Sequence, residues 1–319
     1  MKILITGITG LFGSYLAAEF SKLGEIHGFC RPGTPQQLFN DDEIPVIWHQ
    51  GDLNDPESIA DALEGIDLVI HSAGLVSFSS ADSQKVYQVN HLGTANLVDT
   101  MLAFGVKKLV YVSSVAAIGR VPDVKVMDED AKWTDSPLNT DYANSKYLGE
   151  LEVWRAEQEG LQVCVVNPSI ILGKSSYGKS STAIYSYVLE GNKFYPKGDL
   201  NFIDVRDAAE LTRRLVEGGH WGERFILNAA AISYREFFEE VALAFDKKAP
   251  SLPLSSWMIH VASIGSFILR KMGLSKSPLN RQTAMLAQQK IAYSNEKVKN
   301  LLGFKFRSLP ESLHWAKYP

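Results

Sequence analysis

Tyr142-Ala143-Asn144-Ser145-Lys146 places a phenol and an ammonium four residues apart. On a helix that spacing puts them one turn apart on one face. A free phenol titrates near ~10 and is a poor base at neutral pH, but a nearby ammonium favours the phenolate and lowers that value. Such a phenol can give a proton to a carbonyl oxygen or take one from an alcohol. A second hydroxyl on the same oxygen would steady its developing charge. Ser114, within Val112-Ser113-Ser114-Val115-Ala116, is the candidate. The spacing alone is not specific, because Tyr293 and Lys297 repeat it. Position separates the two pairs: the first follows a run of apolar residues that ends in Ser113-Ser114, and the second lies in the tail.

A proton donor needs a redox partner, and the amino terminus offers a place for one. Thr6-Gly7-Ile8-Thr9-Gly10-Leu11-Phe12-Gly13 follows the first apolar run and opens a helical pattern. Glycines there let backbone approach a pyrophosphate, whose charge is favoured by the helix amino terminus. The contacts expected in this turn are Gly7, Thr9, Gly10, Leu11, Phe12 and Gly13. The next strand ends at Phe29-Cys30-Arg31. An acidic residue at that point would take the ribose hydroxyls, whereas Arg31 would pair with a 2′-phosphate. NADP(H) is therefore the expected cofactor, with NAD(H) the alternative. Asp52 and Leu53 follow the third strand, where a carboxylate can accept from the adenine amino group. Ala73 and Gly74 follow the fourth, where small residues let the cofactor pass close to backbone. Asn90 lies in the helical pattern that follows and can bridge sheet ends through its amide. No metal site is read from the sequence.

The elements that must hold these residues are short apolar runs alternating with longer helical patterns. The expected strands are Lys2–Thr6, Glu25–Cys30, Val46–Gln50, Leu68–His71, Lys108–Val112 and Gln162–Asn167. The expected helices between them are Phe12–Leu23, Pro56–Leu63, Ser83–Phe104 and Asp141–Glu159. Alternation of this kind implies βαβ units and a parallel sheet, and continuous apolar strands imply helices on both faces. Beyond Asn167 the pattern loosens. Gly173–Ser181 and Gly191–Asn201 read as loops, Ile184–Leu189, Asp207–Val216 and Tyr234–Phe245 as helices, and Arg224–Asn228 as a strand. Helices are also expected at Ser255–Lys271 and Asn280–Gln289. Trp257–Leu269 is the most apolar stretch and is shorter than the ~20 residues that span a bilayer, so it reads as a buried or lid helix, with an interfacial membrane contact as the alternative.

The 319 residues exceed the ~250–300 at which single cores stop growing. One large lobe, residues 1–170, and a smaller one, 171–319 with some segments returning to the first sheet, are expected. The hydrophobic fraction of 45% excludes a mainly disordered chain, and a net charge of −4 leaves no basic field to attract nucleic acid or anionic lipid. Cys30 and Cys164 lie in apolar runs and read as small buried hydrophobes. Lys2 is followed directly by a strand, with no apolar stretch of signal-peptide length. A reducing, cytoplasmic compartment is the expectation.

The glycine turn, Asp52, Ala73-Gly74, Asn90, Ser114, Tyr142, Lys146, Asn167-Pro168-Ser169 and Asp204-Val205-Arg206-Asp207-Ala208-Ala209 together resemble the extended short-chain dehydrogenases/reductases, the NAD-dependent epimerase/dehydratase superfamily. The resemblance implies a Rossmann fold: a doubly wound parallel sheet with a smaller C-terminal substrate-binding lobe. It implies a nicotinamide cofactor, with Ser114, Tyr142 and Lys146 catalytic and Lys146 also on the nicotinamide ribose. It suggests a homodimer through Ser83–Phe104 and Asp141–Glu159. Dehydratases of the family place Asp-Glu after the strand-five hydroxyl, where this chain has Val115 and Ala116. Epimerases usually carry an Arg where this chain has Leu200, and Arg-Pro where it has Asn167-Pro168. The Asn-Pro pair, Arg31 and the apolar stretch look instead like the dihydroflavonol reductase and 3β-hydroxysteroid dehydrogenase branch. That branch implies hydride transfer between a small-molecule ketone or aldehyde and an alcohol, with Asn167, Pro168 and Ser169 near the nicotinamide. A sugar-nucleotide epimerase is the first alternative, for which Lys174, Lys179 and Lys193 would serve an anionic substrate if they are not simply solvated. A non-catalytic cofactor-sensing regulator is the second, although such relatives usually lack the Tyr/Lys pair.

Overall fold

The computed structural model describes residues 1–40, 43–120, 124–174, 183–255 and 281–317. Trp257–Leu269, Lys179 and the expected helix beginning at Ser255 fall, wholly or nearly so, outside the described residues. The strands are β1 (Lys2–Thr6), β2 (Glu25–Cys30), β3 (Val46–Gln50), β4 (Leu68–His71), β5 (Lys108–Val112), β6 (Val126–Met127), β7 (Gln162–Pro168), β8 (Ile170–Leu172), β9 (Phe194–Tyr195), β10 (Asp199–Asp204), β11 (Glu223–Leu227), β12 (Ala230–Ser233), β13 (Leu252–Pro253) and β14 (Ala292–Tyr293).

Seven of these form one sheet in the order β3-β2-β1-β4-β5-β7-β11, and every neighbouring pair in it is parallel. The order reverses between β1 and β4, so the crevice beyond their carboxyl ends is the topological switch point where doubly wound sheets bind ligands. Successive side chains of β1 point to opposite faces. Ile3 and Ile5 pack with Phe12, Leu16 and Phe20 of α1 (Leu11–Phe20). Leu4 packs with Ile59 of α2 (Pro56–Ala62) and Leu97 and Met101 further along the chain. Helices on both faces explain why the strands read as unbroken apolar runs.

The expected single helix over Ser83–Phe104 is instead three pieces: α3 (Ser83–Tyr87), a π-helical turn (Gln88–Leu92) and α4 (Gly93–Phe104). Widened turns of this kind are frequent at functional sites, and Asn90 lies in this one. The long helix α5 (Asp141–Gln158) starts where Thr140 Oγ1 accepts from the Ala143 amide at 3.0 Å. That cap sets the position of Tyr142 and Lys146 on its first two turns.

The remaining helices are α6 (Ala183–Leu189), α7 (Val205–Glu217), α8 (Tyr234–Ala244), α9 (Arg281–Leu286), α10 (Glu296–Leu302) and α11 (Leu309–Lys317). The expected loop over Gly191–Asn201 is a correction. It holds β9 and the start of β10, and β10 is the middle strand of a second sheet, β12-β10-β8. Alternation is masked there because Asp199, Asn201 and Asp204 interrupt the apolar residues Leu200, Phe202 and Ile203. That sheet packs with α6, α8 and α11 around Leu200, Phe202, Phe237, Val241 and Leu313. Residues from α7, β11 and α10 return to the core of the first sheet.

Cys30 and Cys164 are free and buried. Among the described residues no helix is long and apolar enough to cross a membrane.

Candidate active site

The glycine turn joins β1 to α1 at the switch point. Gly7 has φ +68°, and a Cβ there would lie 2.6 Å from the backbone of Ala73, so only glycine lets the turn meet the end of β4. A Cβ on Gly13 would collide with the Gly7 carbonyl oxygen. Ser14, which sequence reasoning missed, braces the turn: its Oγ is 2.9 Å from the carbonyl oxygens of Ile8 and Gly10 and accepts from the Phe39 amide. No side chain caps α1, and no acidic residue occupies its first turn. The first N–H groups of a helix have no partner within it, so this uncapped end, with Gly10 before it, fits a pyrophosphate. Phe12 is buried in the core, which leaves its backbone rather than its ring for that contact. Thr9, Gly10 and Leu11 are half-buried.

Arg31 follows β2 directly and is exposed, and its side chain makes no hydrogen bond or ion pair among the described residues. Its guanidinium is available to a phosphate at the carboxyl end of the sheet. Asp52 is half-buried and its Oδ1 accepts from the Asn54 backbone and side-chain amides at 2.9 and 2.8 Å, a local turn. Leu53 packs its side chain into the core beneath α4. Ala73 is half-buried and Gly74 is exposed, and the Ala73 amide donates to Thr6 Oγ1.

Asn90 is a buried clamp. Its Oδ1 accepts from the Leu75 amide at 2.7 Å, and its Nδ2 donates to the Leu75 carbonyl and to Ser145 Oγ. It thereby ties the segment after β4 to α5. His71, another residue missed from sequence, supports it. Thr94 Oγ1 donates to the Asn90 carbonyl at 2.8 Å, so its proton is committed. His71 Nε2 must then donate to Thr94, and Nδ1 accept from Thr6. Burial, with Lys146 nearby, holds this imidazole neutral with a pKa of about 3.

Tyr142, Lys146 and Ser114 come together at the carboxyl end of β5. The Ser114 side chain is within hydrogen-bonding reach of the Tyr142 phenol. Burial raises the phenol above its ordinary value, and the Ser114 contact lowers it only in part. The expected lowering by Lys146 does not appear in this structure, where desolvation dominates the phenol. Lys146 is 4% exposed and donates from Nζ to the Val112 carbonyl at 2.7 Å. Its Nζ is 4.5 Å from the Tyr111 ring centroid. Burial pulls the ammonium down to about 7, and the carboxylate of Glu150 opposes that shift. Phe78 meets Tyr142 edge-on at 5.9 Å.

Asn167 is buried at the end of β7. Its Nδ2 donates to the Ser114 carbonyl at 3.0 Å and to Glu150 at 2.9 Å, and its buried Oδ1 has no hydrogen-bond partner among the described residues. A buried orphan acceptor beside Ser114 fits a donor on a ligand such as a carboxamide. Pro168 is buried, and Ser169 Oγ turns to the Leu227 carbonyl.

The Asp204-Val205-Arg206-Asp207 segment is architectural. Asp204 caps α7 and holds Arg206, whose guanidinium lies 3.9 Å from the Trp315 ring centroid. Asp207 is buried against Arg307. Leu200 is buried in the second core. Lys174 is nearly buried, with Nζ 5.9 Å from the Trp315 ring, rather than solvated; Lys193 is exposed. Lys297 pairs with Glu223 at 2.9 Å and donates to the Arg224 carbonyl, far in sequence and sheet position from Ser114. Among the described residues no three His, Cys, Asp or Glu side chains group to hold a metal ion.

Residues 3–227 match the model of the NAD dependent epimerase/dehydratase family. Sterol demethylase protein B of Methylococcus capsulatus (strain Bath) is 31% identical over 232 residues, 71% of this chain and 69% of that protein. A dihydroflavonol 4-reductase-like protein of Synechocystis is 29% identical over 324 residues, 98% of this chain and 93% of that protein. The crystal structure of gox2253 superposes with a TM-score of 0.83 at 30% identity, covering 98% of this chain and 96% of that one.

Proposed function

Because this chain belongs to the NAD dependent epimerase/dehydratase family, we propose that it interconverts a small-molecule ketone or aldehyde and an alcohol by hydride transfer, with NADP(H) as the preferred cofactor. The coarser statement, an NAD(P)-dependent oxidoreductase of the extended short-chain type, rests on the family and on relatives that carry reductase names. The finer one rests chiefly on one observation: the Tyr142 phenol, kept protonated by burial, faces the Ser114 hydroxyl one helical turn from the Lys146 ammonium.

The nicotinamide, when bound, supplies or accepts the hydride. Tyr142 then delivers the proton that a reduced carbonyl oxygen needs, or removes it from an alcohol. Ser114 shares that oxygen and stabilises its charge as it builds. Lys146 holds the nicotinamide ribose and offsets charge on the phenol. Asn90 and Asn167 hold the strand ends and α5 in register around these three groups. Gly7–Gly13 backbone receives the pyrophosphate, and Arg31 the 2′-phosphate. Two features disfavour other reactions of the family: Val115 and Ala116 bring no carboxylate for water elimination, and Leu200, buried in the second core, brings no cation to a diphosphate.

The test is NADPH and NADH oxidation across a panel of ketones and aldehydes. Turnover with NADPH in preference to NADH is expected. Arg31→Ala should weaken NADPH about 10-fold or more and leave NADH nearly unchanged, the loss of one charge-assisted contact. Tight cofactor retention with UDP-sugar conversion and no net redox change would overturn the reading in favour of an epimerase.

A further inference from the structure

We propose that Glu150 is a positioning residue of this site: its buried carboxylate sustains the positive charge of Lys146 and, through Asn167, holds the main chain that carries Ser114. The inference rests on the assignment of Ser114, Tyr142 and Lys146 given above and extends it to a residue with no place in the reaction itself.

Glu150 lies one turn beyond Lys146 on α5 and is only 3% exposed. A buried carboxylate persists as a charge only when it is paired and hydrogen-bonded. Three side chains donate to this one. Arg224 of β11 donates to Oε1 at 3.2 Å, as does Trp154 Nε1 from the same helix, and Asn167 of β7 donates to Oε2 at 2.9 Å. Asn167 Nδ2 has two protons. One goes to Glu150 and the other to the Ser114 carbonyl at 3.0 Å. A flipped amide would aim Oδ1 at a carboxylate and a carbonyl together, so the contact with Glu150 sets the amide that sets Ser114.

The second link is charge. The titratable groups that bear on Lys146 are His71 from β4, Tyr111 from β5, and Tyr142 and Glu150 on α5. Arg224 faces Glu150 from β11. Burial holds His71 neutral, and it holds Tyr111 and Tyr142 protonated. Glu150 is the acidic side chain among these groups, and it opposes the desolvation that drives Lys146 toward the neutral amine.

The experiment titrates NADPH and NADH by quenching of tryptophan fluorescence from mildly acidic to alkaline pH in the wild type, Glu150→Gln and Glu150→Asp. Binding should weaken as Lys146 loses its proton. In E150Q that inflection should move down by about one pH unit, the effect of removing one nearby opposite charge, while E150D keeps the wild-type inflection even if its affinity is lower. An unmoved inflection in E150Q, with uniformly weaker binding, would overturn the proposal and leave Glu150 a packing residue. If E150Q does not fold, the double variant Glu150→Met/Arg224→Met removes the buried pair together, so that no charge is left unpaired; the same downward move is expected, and its absence counts equally against the proposal. Failure of every form, wild type included, to bind either nucleotide would overturn the functional reading itself, which separates the two outcomes.

Discussion

Two tyrosine–lysine pairs share one spacing in this molecule and differ in nearly everything else. Tyr142 and Lys146 lie on one helix at the carboxyl end of the parallel sheet, with Ser114 opposite and Asn90 and Asn167 behind. Tyr293 ends the two-residue strand β14, and Lys297 lies in α10, where it pairs with Glu223 and lies 4.4 Å from the Phe225 ring centroid. Burial raises the pKa of both phenols. A perturbed titration therefore does not set the proposed catalytic pair apart. What separates the two pairs is placement: the phenol proposed as catalytic lies beside the Ser114 hydroxyl at the carboxyl end of β5, one turn from a buried ammonium, whereas the other lysine is tied down by a carboxylate of β11.

The comparison breaks if the tail pair proves as necessary as the first. Tyr142→Phe should lower kcat by about 10²- to 10⁴-fold, the usual worth of a positioned proton donor, with the melting curve showing an intact fold. Ser114→Ala should cost about 10²-fold, as one donor to a developing oxyanion is lost. Undiminished turnover in either variant would sink the assigned mechanism.

Lys146→Met sharpens the contrast through stability. A lysine whose folded pKa is depressed to about 7, below its unfolded value, binds its proton less readily when folded. The unfolded chain then holds more protons between those two values, so stability rises with pH across that window and is lost as pH falls toward about 7. Removing the buried ammonium should abolish turnover yet stabilise the cofactor-free protein by about 1 kcal/mol or more near neutral pH. Denaturant titration at neutral and alkaline pH checks both the sign and its fading at high pH. Lys297→Met should do the opposite, leaving turnover unchanged and lowering stability by about 1 kcal/mol or less through loss of a partly exposed ion pair. Tyr293→Phe should change either quantity least, within about 0.5 kcal/mol of stability.

How much of this was legible in the sequence follows from what each feature depends on. The strands β1 to β5 begin and end where the apolar runs do, because a buried parallel strand must be apolar along its whole length. The glycine turn was legible because only glycine satisfies the positive φ at Gly7 and the backbone contact with Ala73. β10 was read in part as loop, since its polar residues serve contacts made elsewhere: Asn201 Oδ1 receives the Tyr293 amide and Asp204 caps α7. The break of Ser83–Phe104 at Asn90 was not legible either. A widened turn there has no local residue signal, and it is held by Thr94 at the start of α4 and by Leu75 and Ser145 from two other segments.

The sequence by itself determined the alternating architecture and the glycine turn, and singled out Ser114, Tyr142 and Lys146 as candidates, because local periodicity and backbone sterics are written within a few neighbouring residues. Only the tertiary structure decided which Tyr/Lys pair meets a serine, that burial rather than the ammonium governs the Tyr142 phenol, and that Glu150, His71 and Asn167 form the buried support. Those outcomes depend on desolvation and on hydrogen bonds between residues far apart in the chain, such as Glu150 with Arg224 and Asn90 with Ser145, and no spacing along one segment carries that information.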